Sequence, residues 1–357
     1  MKKTSEGLIE FFVPEDSLTK KSNVFYNPVM EYQRDLTISC LKVAKPSEVL
    51  LPLAASGVRG ARILKEVGCE KIVLNDANPS ACKLMKKNLM LNKIPPKSYE
   101  IRNEDARKLM LENRYDYVDI DPFGSPIDFL RNIGFCVKDS SLLGVTATDS
   151  GALAGKFANA CMRRYGVRTL TNDFPKELGV RVLITTVLRH LSANDMTFIP
   201  LYSHGNHYFR VMGRIERGAT KTDQNLDKIE MISYCHKCLN RVIGFREKCK
   251  CGSRFSHIGP VWTGPTKDAD FVKKALQEFF NSGFRNPKEL QMTVEELDIP
   301  FYYDLHSICR RLRKSPPKMD KILEALKGEG YRASRTRFCL NGFRTDAGIK
   351  TIKKLVK

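Results

Sequence analysis

"YDYVDIDPFGSP", residues 115–126, ends a strand-like pattern with an acid, a proline and an aromatic ring. A plain reverse turn would place Asp-Gly or Asn-Gly after such a strand. Here the strand is followed by Asp121, Pro122 and Phe123. A carboxylate beside a flat ring, at the end of a buried strand, indicates a pocket that holds a planar ring bearing an amine.

Strand-like and helix-like segments alternate on both sides of this stretch. The apolar runs are EVLLPLA, KIVLND, the start of YEIRNEDARKLM, YDYVDID and SLLGVTATD, and the helical patterns between them include ARILKEVG and NPSACKLMKKNLMLN. In the second helix Asn78 is the expected N-cap and Pro79 the first residue. This alternation predicts an α/β fold in which helices wrap a parallel sheet. Residues 196–215 predict a hairpin at one edge, with its strands joined by SHGN.

In such a sheet, ligands bind outside the carboxyl ends of the strands. The turn ASGVRG (55–60), Asp76 and Asp105 all follow strand-like runs. Asp76 could accept hydrogen bonds from both hydroxyls of a ribose, and Asp105 could accept one from an adenine amine. Arg59 stands where the pyrophosphate of NAD would need a small residue, whereas it suits the methionine carboxylate of S-adenosylmethionine. The sequence therefore favours a class I S-adenosylmethionine-dependent methyltransferase with a Rossmann-like sheet, although an acid that closes a strand is also structurally ordinary.

An acid, proline and aromatic residue at this strand end fit an enzyme that methylates the amine of a nucleobase. The amine is a poor nucleophile because its lone pair is delocalised into the ring. Asp121 and a backbone carbonyl at or before Pro122 could accept its two protons, and Phe123 could stack on a base that has left its helix. The alternative is that Asp121 caps the next helix and Phe123 belongs to the core.

The charge balance predicts a polyanionic partner. The chain has 357 residues, and 60 Lys and Arg against 40 Asp and Glu give a formal charge of +20. Nucleic acid is the first expectation and an anionic membrane surface the second. No run of 18 apolar residues occurs, so we expect no membrane span. The start of the chain does not resemble a secretion signal, so we expect a cytoplasmic location, with eleven cysteines kept reduced or bound to metal.

Nine stretches, in order along nearly the whole chain, resemble the archaeal and eukaryotic tRNA (guanine-N2)-dimethyltransferase family. They are VFYNPVMEYQRDL (24–36), AASGVRGAR (54–62), LNDANPSA (74–81), DIDPFGSP (119–126), TATDSGALAG (146–155), NACMRRYG (159–166), KELGVRVLI (176–184), IGPVWTGP (258–265) and ASRTRFCLNGFRTDA (333–347). The resemblance implies transfer of methyl groups from S-adenosylmethionine to guanine N2 at position 26 of tRNA. The expected product is N2,N2-dimethylguanosine.

The resemblance also implies roles for individual residues. Asp121 would be the catalytic carboxylate, with Pro122 beside it, and Phe25 and Phe123 would flank the target guanine. The residues that would hold the cofactor are Arg34, Arg59, Asp76, Asp105 and the backbone around Ala106.

The stretch YCHKCLNRVIGFREKCKCG contains a candidate zinc site. Its thiols belong to Cys235, Cys238, Cys249 and Cys251. Two close pairs joined by a short hairpin are typical of a four-thiolate zinc site, and four protein ligands favour a structural role because no position stays open. His236 and His257 are alternative ligands, and thiols without metal, or disulfides, are the alternative to zinc.

We expect two domains, a methyltransferase domain over residues 1–266 and a basic tRNA-binding domain over residues 267–357. The cysteine-rich element, residues 232–258, lies within the first domain or at its border. Helical patterns followed by the hairpin-like YRASRTRFCLNGFRTDA make the second domain resemble a winged helix. Its arginine cluster, Arg332, Arg335, Arg337 and Arg344, is expected to contact RNA phosphates.

Two other functions fit parts of the sequence. One is an amino-methyltransferase that acts on another RNA or DNA base, and the other is an RNA-binding protein that has lost the chemistry. The DPFG and VFYNP stretches favour the tRNA family over the first, and Asp121, Asp76 and Arg59 argue against the second. We expect a monomer, with tRNA as its partner and no membrane.

Overall fold

The protein is described from a computed structural model, and the description comprises residues 1–15 and 24–356. In those residues the strands are β1 (Lys2–Glu6), β2 (Ile9–Val13), β3 (Glu48–Leu51), β4 (Lys71–Asn75), β5 (Tyr99–Arg102), β6 (Tyr115–Ile120), β7 (Val137–Ala147), β8 (Met196–Gly205), β9 (Phe209–Arg217), β10 (Ile229–Tyr234), β11 (Arg241–Ile243), β12 (Ser256–Trp262), β13 (Tyr303–Asp304), β14 (Ala333–Thr336) and β15 (Cys339–Thr345).

The helices of the same residues are α1 (Glu31–Ala44), α2 (Val58–Arg62), α3 (Pro79–Leu91), α4 (Ala106–Leu109), α5 (Ile127–Leu130), α6 (Ile133–Cys136), α7 (Ser150–Leu153), α8 (Ala158–Tyr165), α9 (Pro175–Ser192), α10 (Ala219–Leu226), α11 (Ala269–Asn281), α12 (Lys288–Glu295), α13 (Leu305–Leu312), α14 (Met319–Gly328) and α15 (Ile349–Leu355). A π-helical turn, Ile63–Val67, continues α2 and ends at Gly68, whose φ of 86° is one that glycine adopts freely. Within this part of the chain, no helix is both long and apolar enough to cross a membrane.

The central sheet has seven strands in the order β5-β4-β3-β6-β7-β9-β8. The pairings β3–β4, β4–β5, β3–β6 and β6–β7 are all parallel. The chain runs outward from β3 to β5 and returns to β6, so the strand order reverses between β3 and β6. Ligands bind at the carboxyl ends beside such a reversal. The predicted α/β fold is confirmed, and the hairpin of β8 and β9 at one edge is joined by residues 206–208 rather than by SHGN.

The sequence places the boundaries of α3 correctly. The Asn78 side chain accepts a hydrogen bond from the N–H of Ser80, and Pro79 is the first helical residue. Proline suits that position because its missing N–H would have no intrahelical acceptor. The apolar runs predicted as strands lie in the core; Val49, Leu50, Ile72, Leu74 and Val118 are among its buried residues.

The chain divides into two compact units that are not successive segments. The first comprises residues 1–146, 212–217 and 270–290, and the second comprises residues 147–211, 218–269 and 291–357. The first unit contains the strand ends that the sequence analysis singled out, and the second contains the four cysteines and the basic C-terminal residues. The expected boundary between residues 266 and 267 stays a prediction about the domains.

Two small antiparallel sheets complete the second unit. The cysteine-rich element forms one, in the order β11-β10-β12, and the C-terminal region forms the other, in the order β13-β15-β14. Helices α13 and α14 followed by the β14–β15 hairpin give the expected winged-helix-like arrangement. Helix α13 begins at Leu305, and directly before it Tyr303 of β13 is buried and pairs with Phe343 of β15.

Candidate active site

Asp76 ties the glycine turn to the start of α3. Its Oδ2 accepts a hydrogen bond from the N–H of Ala55 at 3.0 Å, and its Oδ1 accepts one from the N–H of Asn78 at 2.9 Å. A carboxylate offers about four lone-pair directions, so each oxygen can accept one further hydrogen bond. The half-buried Asp76 therefore fits the predicted pair of ribose hydroxyls.

The turn itself requires glycine. Gly57 has a φ of 76°, and a Cβ at that position would lie 2.9 Å from Cγ of Met85. The backbone can therefore pass close to α3 only because residue 57 has no side chain.

Asn75 is a site residue that the sequence analysis missed. It is fully buried at the end of β4, and its amide donates to the carbonyls of Pro52 at 2.9 Å and Glu104 at 3.1 Å. Its Oδ1 accepts a hydrogen bond from the N–H of Glu104 at 3.0 Å. One side chain thus fixes the loops after β3, β4 and β5. The sequence signal that could have identified Asn75 is its place at the end of the apolar run KIVLN. An amide buried there needs hydrogen-bond partners, so it would be expected to bind the neighbouring loops.

Asp105 and Ala106 begin the short helix α4. Asp105 is its N-cap and accepts hydrogen bonds from the backbone and side chain of Arg107. These hydrogen bonds lower the pKa of the Asp105 carboxyl to about 2. An adenine amine would share that carboxylate with Arg107. The N–H of Ala106, at the first helical position, has no acceptor within the helix and suits an adenine nitrogen.

Arg59 connects helix α1 with the end of β6. Its Nη1 donates to Thr37 Oγ1 at 3.1 Å and its Nη2 to Gln33 Oε1 at 2.8 Å. Nη2 also pairs with the Asp121 carboxylate at 2.5 Å, and Nε lies 3.3 Å from Oδ2 of Asp119. Two predicted site residues, Arg59 and Asp121, are therefore in direct contact. Gln33 and Thr37 were missed because no local pattern links α1 to the glycine turn.

The aromatic pair of the prediction also comes together. The rings of Phe25 and Phe123 meet edge to face, with their centroids 4.8 Å apart. Phe123 is 74% exposed, and the N-cap of α5 is Pro126 rather than Asp121. The alternative interpretation, a capping Asp121 and a core Phe123, is therefore wrong. A buried Pro122 separates the carboxylate from the exposed ring.

Arg34 lies in a buried ion-pair network. Its Nε and Nη2 each lie 2.6 Å from a carboxylate oxygen of Glu6, and its Nη2 also donates to the carbonyl of Asn27 at 3.2 Å. Glu6 accepts further hydrogen bonds from Arg62 at 2.8 Å and from the Tyr26 hydroxyl at 3.1 Å. This network fixes the segment that carries Phe25. The predicted role of Arg34 at the cofactor stays a prediction.

The four predicted cysteine ligands converge in the second unit. Sγ of Cys235 lies 3.6 Å from that of Cys251, Sγ of Cys238 lies 3.5 Å from that of Cys249, and all four lie within 4.8 Å of one another. Four sulfurs around a tetrahedral zinc would be about 3.8 Å apart, given Zn–S distances of about 2.3 Å. The thiols are free rather than joined in disulfides. This donor set fits zinc, and among the described residues the cluster includes neither of the alternative histidines.

The expectation that the whole arginine cluster contacts RNA is wrong for two of its members. Arg337 pairs with Glu296, and Arg344 pairs with Glu177 and Glu296, with all four side chains buried. Desolvation makes such buried charges depend on partners, which these two arginines have within the protein. The other two members are exposed; Arg332 pairs with Asp346 and Arg335 with Asp320.

Comparison with known proteins agrees with this arrangement. A model of the family described as "N2,N2-dimethylguanosine tRNA methyltransferase" matches residues 7–357. The tRNA (guanine(26)-N(2))-dimethyltransferase of Methanosphaera stadtmanae is 35% identical over 98% of this chain and 95% of its own. The tRNA (guanine(26)-N(2)/guanine(27)-N(2))-dimethyltransferase of Aquifex aeolicus is 34% identical over 99% of this chain and 95% of its own. The structure of Trm1 from Pyrococcus horikoshii with S-adenosyl-L-methionine superposes over 100% of both chains, with a TM-score of 0.92 and 33% identity.

Proposed function

The chain belongs to the N2,N2-dimethylguanosine tRNA methyltransferase family, and on that premise we propose that it methylates guanine N2 at position 26 of tRNA. S-adenosylmethionine supplies the methyl group as a sulfonium, and two transfers give N2,N2-dimethylguanosine. The observation that carries the proposal is the end of β6, where Asp121 is followed closely by Phe123, an exposed ring that packs edge to face on half-buried Phe25. A carboxylate and two rings are the groups that a flipped-out amine-bearing base requires.

Asp121 acts on the amine of guanine by accepting a hydrogen bond from one of its protons, and it takes up that proton when N2 receives the methyl group. A backbone carbonyl at Asp121 or Pro122 accepts the second, which raises the electron density on N2. Arg59 holds the carboxylate by an ion pair at 2.5 Å and is itself fixed by Gln33 and Thr37 of α1. Catalysis here depends on positioning and electrostatics, because an in-line displacement needs no covalent help from the protein.

Phe25 and Phe123 hold the base. The centroids of the two rings are 4.8 Å apart. A base stacked between two rings needs them roughly 7 Å apart, which is twice a contact distance of about 3.5 Å. One ring must therefore swing aside when guanine enters. Phe123 is the more exposed of the two and the freer to move.

Asp76, Asp105 and Ala106 lie at the strand ends that Asn75 ties together, whereas Arg34 belongs to α1 and Arg59 to α2. Asp76 accepts the ribose hydroxyls, Asp105 and the N–H of Ala106 contact the adenine, and Arg34 and Arg59 attract the methionine carboxylate. The free acceptor positions of Asp76 and the unshared N–H of Ala106 support these assignments.

Residues 267–357 contribute the basic tRNA-binding domain, and the four cysteines hold one structural zinc ion. From residue 301 to 357 there are 15 Lys and Arg against 5 Asp and Glu. Exposed Arg332 and Arg335, rather than buried Arg337 and Arg344, bind phosphates in this proposal. The protein works as a monomer in the cytoplasm, where its tRNA substrate is found, and light scattering tests the first of these statements.

The substitution Asp121→Asn tests the proposal. It keeps the shape of the side chain but removes its charge, so single-turnover methylation of tRNA should fall by roughly 100-fold or more while tRNA affinity stays the same. Asp128→Asn, at an exposed carboxylate of α5, is the matched control and should leave the rate unchanged. Nucleoside mass spectrometry identifies the product. Near-normal turnover by the Asp121 variant, or a methyl group on another base, would contradict the proposal.

A further inference from the structure

An exposed aromatic platform lies in the cysteine-rich element, outside the active site. Phe245 is 57% exposed, and its ring stacks on His257 with centroids 4.2 Å apart and an angle of 12° between the planes. Stacking covers one face of the phenyl ring, so its exposed area lies on the other face and the edge. A single large apolar side chain is left in water at a fixed position.

The backbone on both sides of Phe245 is held in place. The N–H of Gly244 donates to a carbonyl of β10 at 2.7 Å, and its carbonyl accepts from the Ser233 hydroxyl at 2.8 Å. The same buried hydroxyl accepts from the N–H of Arg246 at 2.8 Å, and the carbonyl of Arg246 lies 3.1 Å from Nε2 of His257. A carbonyl can only accept, so Nε2 carries the proton. The ring is therefore presented by a rigid loop, whose anchors do not involve the thiolates.

The surface around the ring is strongly basic. Between residues 236 and 257 the only acid is Glu247, and five cations are exposed: Lys237, Arg246, Lys248, Lys250 and Arg254. Lys248 and Arg254 face each other directly in an antiparallel bridge. Like charges directly opposite each other are destabilising. An anion bound between them would relieve this repulsion.

We propose that this surface, the Phe245 platform, binds the tRNA substrate. An unpaired base stacks on Phe245, and the flanking phosphates bind Lys248 and Arg254. Aromatic rings flanked by cations bind single-stranded RNA in this way, since every base has a face that can stack. The inference rests on the proposed function for the identity of the RNA. A protein partner fits the surface less well, because lysine is depleted in protein interfaces.

The central test is Phe245→Ala, with tRNA affinity measured by filter binding. The affinity should fall by about 5-fold or more, as expected for the loss of one stacked base. Phe245→Tyr and Phe245→Trp should retain it, whereas Phe245→Leu, which keeps apolar area but has no ring, should not. Phe135→Ala, at an exposed phenylalanine of α6, is the matched control and should bind normally.

Two further measurements separate stacking from charge and from folding. The salt dependence of binding should be unchanged in Phe245→Ala. In a Lys248→Ala, Arg254→Ala variant its slope should fall by about 0.7–0.9 for each phosphate that the protein no longer neutralises. Zinc content should match the wild type in both variants, and the melting temperature should match it in Phe245→Ala and should not fall in the double variant. Methylation by Phe245→Ala should recover at saturating tRNA, because the platform lies outside the reacting site.

Equal tRNA affinity of the Phe245→Ala, Phe245→Tyr and wild-type chains would overturn the proposal. So would a loss of affinity of the same size in the Phe135 control, since it would show a general effect of exposed rings. If the wild-type chain bound tRNA without methylating it, the proposed function would fail. The affinity comparison at Phe245 would then still decide whether the platform binds RNA.

Discussion

Glu6→Gln should weaken both the fold and the cofactor site, although Glu6 lies in the N-terminal hairpin, which β1 and β2 form as an antiparallel pair. The carboxylate is buried and accepts hydrogen bonds from Arg34, Arg62 and Tyr26. Burial alone would raise the pKa of the Glu6 carboxyl, but Arg34 and then Arg62 outweigh that effect and hold the pKa below its usual value. Glutamine keeps the shape of the side chain and removes the charge that these guanidinium groups face.

The expected cost follows from which partners remain. Arg62 keeps Asp35 at 2.7 Å and Glu66 at 2.8 Å, so its charge stays compensated. Arg34 loses its carboxylate and keeps only neutral acceptors, including the Asn27 carbonyl. Removing one partner of a buried pair costs about 3–5 kcal/mol, and the amide oxygen of glutamine recovers part of it. We expect the free energy of unfolding to fall by about 2–4 kcal/mol.

Denaturant unfolding and calorimetric titration of S-adenosylmethionine measure the two effects. Cofactor affinity should fall by about 10-fold, or roughly 1.4 kcal/mol, because Arg34 is no longer held in place. Glu10→Gln is the matched control, since Glu10 lies in the same hairpin and its exposed carboxylate pairs with Lys3. Exposed pairs contribute about 0–1 kcal/mol, so this variant should behave nearly as the wild type.

A double-mutant cycle with Arg34→Gln decides whether the two residues act together. A coupling energy of about 2 kcal/mol or more is expected for a bidentate buried pair. If Glu6→Gln and Glu10→Gln destabilised the protein equally, the reasoning about the buried network would be refuted. Normal cofactor affinity in a destabilised Glu6→Gln chain would limit Glu6 to a structural role.

Four further predictions concern separate parts of the protein. Asp76→Ala should weaken S-adenosylmethionine binding by about 1–3 kcal/mol, and unchanged affinity in calorimetry would remove Asp76 from the site. Elemental analysis should find about one zinc per chain, and removal of the zinc by a chelator should lower the melting temperature. A chain without zinc and with four free thiols would contradict the assignment of a zinc site to the four cysteines. Burial alone would raise the pKa of Glu177, yet Arg344 and Arg181 lower it from an ordinary 4.5 to about 2. The charged carboxylate therefore contributes up to about 3 kcal/mol to the free energy of unfolding above pH 4.5, and this contribution is lost as the pH falls toward 2. Denaturant unfolding across that range checks the sign, which a rise in stability on acidification would contradict. Changing Arg332 and Arg335 to alanine should weaken tRNA binding and lower its salt slope, with turnover recovering at saturating tRNA; unchanged binding would move the RNA surface elsewhere.

Features encoded within a few neighbouring residues could be predicted from the sequence. The cap of α3 by Asn78, the carboxylate that closes β4 and the acid–proline–aromatic end of β6 all depend on residues adjacent in the chain. The four-cysteine cluster could be predicted for a similar reason, because two close pairs and a short hairpin leave few other arrangements. Such features follow from local backbone preferences and spacing.

Features that depend on distant partners could not be predicted. Arg344 looks like an RNA-binding arginine until its carboxylate partner is known, and Glu177 lies 167 residues earlier in the chain. The sequence indicates only a ligand-binding role for Arg59. It does not reveal the contact of Arg59 with Asp121, because the two positions are 62 residues apart. Propensity and periodicity contain no information about which charges meet in the core, so buried and exposed arginines look alike in sequence.

This division between buried and exposed arginines explains where the formal charge of +20 is located. The buried guanidinium groups are largely neutralised inside the protein, Arg62 by three carboxylates and Arg344 by two. The excess positive charge therefore lies on exposed lysines and arginines, where it can replace counterions along an RNA backbone. Such contacts supply affinity without reading the sequence. Selection of guanine consequently depends on the uncharged surfaces and the few polar groups around Asp121, where the loss of one carboxylate should abolish chemistry and leave binding intact.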